Sequence, residues 1–147
     1  MAHAEQGIEL LAELAKENVR LLITKGRTVL LRSSERGIKP LLEALESVPC
    51  KRLRGAVVAD AVVGKASALL MAYADVAFVA SKIMSNAGAD VLQMREIAYC
   101  AQKIVPAILG SNTNQQCPFE QAIRHVTDPR EALKVLSELA RGLSRGA

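Results

Sequence analysis

The sequence predicts an α/β domain in which a mixed five-stranded sheet lies between helices as a three-layer α/β/α sandwich. Three observations support this fold class. Short β-rich runs alternate with segments of helical periodicity, two of the runs are separated by a Gly-containing turn, and several runs are continuously apolar, as in strands buried on both faces. Of the 147 residues, 50% are hydrophobic and only 3% are aromatic, so we expect an aliphatic core.

The first third of the chain predicts a helix, a hairpin and a second helix. Residues 3–17 carry apolar side chains at helical spacing. Residues 19–24 and 28–32 are β-rich and are separated by the polar residues 25–27, a pattern typical of a hairpin. Pro40 stands where a first helical turn tolerates proline, so a short helix is expected to begin there.

The middle of the chain predicts strands that alternate with helices. Residues 55–60, 76–79 and 97–101 are short apolar runs typical of buried strands. Residues 61–72 are apolar almost all round and residues 83–94 carry apolar side chains at helical spacing, so both segments predict helices. Units of this kind place parallel strands in one sheet, joined by right-handed crossovers.

A loop and two helices complete the predicted order. Residues 105–116 are rich in Pro, Gly, Ser and Asn, which indicates a loop. Pro118 opens a short helix, and Asp128 followed by Pro129 supplies a cap and a first-turn proline for the last helix. Because no repeat and no long linker divides the chain, residues 1–147 are expected to form a single domain.

Composition excludes several classes of function. The net charge is +4, but no long basic stripe with interleaved aromatic residues is present, which argues against nucleic-acid binding. The most apolar stretch, residues 55–80, is interrupted by charged side chains, so no membrane span is expected. The first residues lack the pattern of a secretory signal, and a cytoplasmic location is expected. The mean hydropathy of +0.18 leaves little purely polar surface, so we expect a homo-oligomer.

The number and spacing of the cysteines argue against disulfide bonds and against a zinc knuckle. The three cysteines, Cys50, Cys100 and Cys117, are odd in number, and no pair has CxxC spacing. A disulfide framework and a zinc knuckle are therefore not expected. We expect no cofactor.

Polar residues occur in three segments where a packed fold does not require them. The segments are residues 33–40, Asp60 with Gly64-Lys65, and residues 114–120. Ligands of open α/β sheets bind beyond the carboxyl ends of strands, where helix N-termini offer free N–H groups. The first two segments follow strands, so we expect them at one edge, with the 105–116 loop carrying the third segment over that edge.

Lys65 is the most informative of these residues because it lies in a predicted helix that is otherwise apolar. An unpaired buried ammonium group is costly, so the side chain is expected either to pair or to face a cavity. In a structural interpretation, Asp60 caps the helix and Lys65 reaches solvent. In a functional interpretation, Lys65 binds a phosphate or carboxylate, or acts as a base or nucleophile. Gly64-Lys65 is not a P-loop, because Ala59 and Ala66 stand where that motif requires Gly and Ser or Thr.

Cys117 precedes Pro118 and is expected at the N-terminus of a short helix, a position that favours a thiolate. Without a nearby His in the sequence, the structural interpretation is a small, partly buried cap residue. Glu120, three residues further on, would complete a pair similar to a capping box. The two histidines, His3 and His125, are expected at the surface, and Met71, Met84 and Met94 in the core.

Four ordered motifs resemble one family. They are SSERGIKPLLEAL (residues 33–45), DAVVGKASALL (60–70), KIVPAIL (103–109) and CPFEQAI (117–123). Together they resemble the family catalogued as domain of unknown function 1893, over about residues 18–138. The resemblance implies a cytidine deaminase-like fold, and the residues shared with the family are Ser34, Glu35, Arg36, Gly37, Lys39, Asp60, Gly64, Lys65, Cys117, Pro118 and Glu120. No role for any of them follows from the resemblance alone.

The same resemblance argues against zinc chemistry. Zinc deaminases carry an HxE or CxE motif after the hairpin and a PCxxC motif after the third strand. Here residues 35–39 and 60–65 occupy those positions and contain neither His nor Cys. Because a catalytic zinc needs about three protein ligands, we expect no metal site.

Two hypotheses remain open for function. In the first, the chain is a metal-free binder or enzyme for a small anionic, nucleotide-like ligand. The expected ligand-binding residues are Ser34, Glu35, Arg36, Gly37, Lys39, Gly64 and Lys65. The candidate catalytic residues are Lys65, Cys117 and Asp60. In the second, the chain is a non-enzymatic structural or regulatory module that keeps the motifs for packing.

Overall fold

The computed structural model describes residues 2–110 and 115–145, which form seven helices and five strands. The helices are α1 (Ala2–Glu17), α2 (Lys39–Ser47), α3 (Cys50–Leu53), α4 (Lys65–Ala74), α5 (Asn86–Met94), α6 (Pro118–Ala122) and α7 (Pro129–Arg145). The strands are β1 (Leu21–Lys25), β2 (Thr28–Ser33), β3 (Val57–Val63), β4 (Phe78–Ser85) and β5 (Ala98–Val105). The predicted alternation of strands and helices is confirmed.

The five strands form one open mixed sheet in the order β2-β1-β3-β4-β5. Strand β1 is antiparallel to both β2 and β3, whereas β3, β4 and β5 are parallel. The predicted hairpin is β1 and β2, and Gly26 in its turn has a φ of 60°, which glycine adopts without strain. As a consequence, the beginning of β1 lies at the same edge of the sheet as the carboxyl ends of β2 and β3.

The core consists of two apolar clusters that the sheet separates. Alternate side chains of a strand point to opposite faces, and Val57 belongs to one cluster while Val58 belongs to the other. Helix α1 covers the first face, where Leu14 and its apolar neighbours pack against β3 and β4. Helix α4 lies in the second and larger cluster, where Leu70 and Met71 are fully buried.

The predicted boundary between the third strand and its helix is wrong. Strand β3 continues through Val63, and α4 begins only at Lys65. The cause is the continuous apolar run from Gly55, which has no period that would separate strand from helix. Asp60 therefore lies inside β3 and does not cap α4, whose N-cap residue is Gly64.

Strand β4 also extends beyond its predicted end. It continues to Ser85, so Ile83 and Met84 belong to a strand rather than to the following helix. Met84 is fully buried as expected, but Met94 is 81% exposed at the last residue of α5, so its predicted core position is wrong. The four-residue helix α3 was not predicted, because one turn is too short to show a period.

The loop predicted at residues 105–116 begins at residue 106, because Val105 is the last residue of β5. In the described part of this loop, Leu109 and Gln116 form an isolated bridge, and Gly110 N–H donates to Gln115 O at 2.9 Å. Residues 111–114 of the predicted loop lie outside the described residues. Among the described helices, none is long and apolar enough to cross a membrane.

Candidate ligand cavity

A cavity of about 360 Å³ opens at the edge of the sheet where β1 begins and β2 and β3 end. Four segments supply its walls: the start of β1, the connection from β2 to α2, the end of β3 with the start of α4, and the segment that leads into α6. The lining residues are Arg20, Leu21, Glu35, Arg36, Gly37, Ile38, Asp60, Val62, Gly64, Ala66, Ser67, Ile108, Leu109, Gly110, Cys117, Phe119 and Glu120.

Arg20 is held at this edge by its backbone. Its N–H donates to Ser33 O at 2.9 Å, and its carbonyl accepts from Ala61 N–H at 2.8 Å. These two bonds fix Arg20 between β2 and β3, next to Leu21, which faces Asp60 across the β1–β3 ladder. The backbone of Arg20 is thus fixed near Asp60, and the Arg20 charge acts to lower the pKa of that carboxyl group.

Asp60 brings a carboxyl group into the cavity from the interior of β3. Its Oδ1 accepts from Val62 N–H at 3.4 Å. Burial raises the pKa of Asp60 from 3.8 to about 7, against the opposing effects of the Val62 N–H and the Arg20 charge. A carboxyl group that titrates near neutral pH can either donate or accept a proton under physiological conditions.

Glu120 lines the cavity together with Gly64 and Ala66 at the start of α4. It is only 5% exposed, and its two carboxylate oxygens accept from the first two N–H groups of α4: Oε1 from Lys65 N–H at 2.8 Å and Oε2 from Ala66 N–H at 2.7 Å. Burial raises the pKa of Glu120, and the two N–H groups and the Lys65 charge oppose that rise. A residue more than fifty positions away thus caps α4.

This cap requires a glycine at the position before α4. A Cβ atom on Gly64 would collide with Glu120 Oε1, lie 2.6 Å from Glu120 Cδ and lie 2.9 Å from a side-chain carbon of Ile108. The Gly64 predicted as a ligand-binding residue therefore lines the cavity, and the space beside it belongs to Glu120.

The segment from β2 to α2 brings some of the predicted residues to the cavity. Glu35, Arg36 and Gly37 line it, and the Glu35 N–H donates to Ser33 Oγ at 3.1 Å. The exposed Ser34 is not among the lining residues.

Lys39 does not reach the cavity. It lines a separate depression with Glu43 and Glu46 of α2 and with Arg141 of α7. Its expected place beside Arg36 is corrected for a physical reason: α2 begins at Lys39, and the turn of the helix directs this side chain toward α7.

Lys65 requires a similar correction. Its Nζ donates to Arg124 O at 2.8 Å, beyond the end of α6, and its side chain lines another surface depression instead of the cavity. Its expected pairing with Asp60 is not formed, because Asp60 lies in the strand, four residues before the cap. Lys65 is not among the lining residues of the cavity, and its backbone N–H contributes only by donating to Glu120, which does line it.

Cys117 lines the cavity and is the N-cap residue of α6, as expected. Its backbone N–H donates to Ile108 O at 3.0 Å, which closes the loop below the cavity wall. The expected capping-box pair with Glu120 is wrong, because the Glu120 carboxylate turns away from α6 and caps α4. Both histidines are exposed, as expected.

Sequence reasoning missed Arg20 and misread Glu120. Arg20 precedes a strand instead of following one, and it reaches this edge because β1 is antiparallel to β3. The Lys25–Arg27 hairpin signal could have indicated this, since a hairpin returns the start of its first strand to the end of its second. For Glu120 no local signal exists, because its partners are 54 and 55 residues away.

The residues at this edge do not fit the zinc site of a deaminase. Within residues 2–110 and 115–145, no group of three or more His, Cys, Asp or Glu side chains could hold a metal ion. Among the described lining residues Cys117 is the one soft ligand, and the carboxylates of Asp60 and Glu120 already accept from backbone N–H groups. We therefore derive no chemistry through zinc.

Fold and cavity together define an α/β protein with an open mixed sheet and a ligand-sized cavity at the carboxyl edge of its central strand. The model of the TM1506 family, a domain of unknown function catalogued as DUF1893, matches residues 9–140. The chain belongs to this family.

A solved structure supports the fold. The crystal structure of a DUF1893 family protein (TM1506) from Thermotoga maritima is similar to this chain with a TM-score of 0.81 and 24% sequence identity. The similarity covers 89% of this chain and 87% of that chain. No curated protein matches the sequence. The similarity at this identity extends to the fold alone.

Proposed function

We propose that this protein binds a small anionic, nucleotide-like molecule in the cavity between β1, β3 and α6, without a metal ion. The observation that carries the proposal is the convergence of Arg20, Arg36, Asp60 and Cys117, which come from four separate segments, on one cavity. Its volume of about 360 Å³ falls in the range of small-molecule sites.

The cavity has chemically different ends. Arg20 and Arg36 lie at the end formed by β1 and the β2–α2 connection, and Glu120 lies at the end formed by α4. Guanidinium groups bind carboxylates and phosphates through paired hydrogen bonds. We place the anionic group of the ligand at the arginine end, where the exposed Glu35 is the opposing charge.

Asp60 lies near Arg20, toward the arginine end, and is the best candidate for chemistry. Its pKa of about 7, raised by burial, matches what a general acid or base needs near neutral pH. Cys117 is a second candidate, as a thiol in the same cavity. In this proposal Lys65 and Lys39 have no direct role, because their side chains lie outside the cavity.

Thermal unfolding in the presence of nucleotides and sugar phosphates tests the proposal. A ligand present at a hundred times its dissociation constant stabilises the folded protein by about 2.7 kcal/mol. The wild type is expected to be stabilised by at least one compound, and Arg36→Met and Arg20→Met are expected to lose most of that shift. Lys65→Met and Lys39→Met are the matched controls, because each removes a surface cation of the same region and is expected to keep the shift.

The alternative function is a non-enzymatic structural or regulatory module. The ring of contacts made by Glu120, Gly64 and the α4 backbone supports it, because those contacts stabilise the fold without a ligand. If no compound shifts the wild type, or if Arg36→Met and Lys65→Met respond alike, the ligand proposal is wrong and the alternative replaces it.

Three finer statements belong to this proposal. The strand order with β1 reversed, and the helices on both faces, support a cytidine deaminase-like three-layer sandwich. A cytoplasmic location is proposed because Cys50, Cys100 and Cys117 are free, as thiols are in reducing compartments. A homo-oligomer is proposed from the apolar side chains left exposed, which include Ile8, Met94 and Ile104.

A further inference from the structure

We infer that Glu120 is a specificity-determining residue: its carboxylate occupies the α4 end of the cavity and excludes ligands that carry negative charge at that end. The inference rests on the proposed ligand cavity and deepens it by naming the class of ligand. Such a ligand carries its anionic group at the arginine end and a hydrogen-bond donor, such as an amine or amide, at the α4 end.

The first step is the occupancy of the α4 N-terminus. The first N–H groups of a helix and its dipole attract anions, and α4, with ten residues, follows a parallel strand as anion-binding helices of α/β proteins do. Here both oxygens of one buried carboxylate already accept from Lys65 N–H and Ala66 N–H. The place where a phosphate or carboxylate of a ligand would bind is taken by the protein's own side chain.

The second step is that Glu120 also faces the cavity. Glu120, Gly64 and Ala66 all belong to its lining, so the carboxylate is one wall of the ligand space and not a contact remote from it. A carboxylate has about four acceptor positions and two are used here, which leaves acceptors for a donor group of a ligand. A second anion would meet the charge of Glu120 and find the Lys65 and Ala66 N–H groups already bonded.

The third step is the separation of the two ends. Asp60, beside Arg20, and Gly64, beside Glu120, are four residues apart along the β3 direction, which is about 13 Å in an extended chain. A ligand with anionic groups at both ends would be attracted at one and repelled at the other.

Anion rescue of Glu120→Ala tests this inference. Truncation leaves two unpaired N–H groups and a space the size of a small carboxylate, which acetate or formate is expected to fill. Acetate is expected to raise the Tm of Glu120→Ala by about 4 °C more than chloride at the same ionic strength. The wild type and Glu120→Gln, in which the space stays filled, are expected to show no such difference.

Two further variants separate the possible causes. Ser85→Ala loses the side-chain cap of the neighbouring helix α5, where Ser85 Oγ accepts from Gly88 N–H at 3.0 Å, and should not be rescued. In the double variant Arg36→Met/Glu120→Ala, acetate should raise the Tm to the same extent as in Glu120→Ala. The rescue needs no cavity ligand, so it stands or fails independently of the nucleotide and sugar phosphate panel.

The outcomes are decisive even if Glu120→Ala does not fold in chloride. Refolding from urea is then compared in acetate and in chloride, and a folded fraction that rises only in acetate supports the inference. If acetate affects Glu120→Ala no more than it affects the wild type or Ser85→Ala, the start of α4 is not an anion site and the inference is overturned. Rescue that is lost in Arg36→Met/Glu120→Ala also overturns it, because acetate would then act at the arginine end.

Discussion

Helices α4 and α5 begin side by side at the same edge of the sheet, yet they are capped in different ways. Each follows a parallel strand, and a Cβ atom on Gly88 of α5 would lie 3.0 Å from the backbone of Gly64 before α4. Helix α5 is capped by its own N-cap residue, Ser85, three positions before Gly88. Helix α4 is capped by Glu120, from a later helix.

The difference shows how a cap can organise a site. A local cap such as Ser85 stabilises one helix end and draws nothing else toward it. A distant cap also holds the segment that carries it against the capped helix. The hydrogen bonds of Glu120 therefore keep α6, with Cys117 and Phe119, next to the end of β3. The cavity therefore lies beside the helix that lacks a local cap.

The largest expected effect comes from removing the two caps in turn. Glu120→Ala removes two charge-assisted hydrogen bonds to buried N–H groups and is expected to lower the free energy of unfolding by about 3 kcal/mol. Ser85→Ala removes one neutral cap and is expected to cost about 1 kcal/mol. Urea unfolding of both variants measures the difference, and equal costs would contradict the distinction between the helices.

A second prediction uses the glycine before α4. Gly64→Ala places a Cβ against Glu120 and is expected to cost about 2 kcal/mol by overpacking. In a Glu120→Ala background most of this cost should disappear. Gly88→Ala is the matched control, because its Cβ would meet the backbone of Gly64 and Val63, so its cost should be the same in both backgrounds.

The third prediction concerns the pH dependence that Asp60 imposes. Because its pKa is raised from 3.8 to about 7 in the folded protein, the folded state binds a proton more tightly than the unfolded state in that interval. Wild-type stability should therefore fall as the pH rises through it. Asp60→Asn removes this penalty, so its free energy of unfolding should rise relative to that of the wild type as the pH increases from 4 to 7. If the free energies of unfolding of the wild type and Asp60→Asn changed in parallel between pH 4 and pH 7, the burial of Asp60 would be contradicted.

The smallest expected effect belongs to Lys65. Its Nζ donates to Arg124 O at an exposed site, so Lys65→Met is expected to cost about 0.5 kcal/mol. A loss larger than that of Ser85→Ala would contradict the minor contribution expected for this hydrogen bond. Chemical denaturation of the two variants under identical conditions makes the comparison.

The sequence predicted the sheet and the edge of the candidate site, but not the contacts that complete it. Apolar runs and the hairpin turn were enough for five strands, because strand and turn signals are local. Local signals alone predicted that β3 ends at Asp60, because Ala61, Val62 and Val63 fit a buried strand or a buried helix equally well.

Charged residues at the edge were harder to assign for a different reason. Lys65 stood out as a lysine in an apolar helix, but only the position of Arg124 shows that its side chain leaves the cavity. Glu120 looked like a local cap because of its spacing from Cys117. Its partners are set by how α6 packs on α4, and that packing is a tertiary property without a short-range pattern.

Hydrogen exchange of the amides of Lys65, Ala66 and Gly88 tests the central claim most directly. In the wild type all three should be protected, because each donates to a side-chain oxygen. In Glu120→Gln, which keeps the size of the side chain but can accept at only one of its two terminal atoms, Lys65 or Ala66 should exchange at least tenfold faster while Gly88 stays unchanged. Unchanged protection of both α4 amides, or an equal acceleration of all three, would contradict the account in which a distant carboxylate caps α4 and forms the end of the cavity.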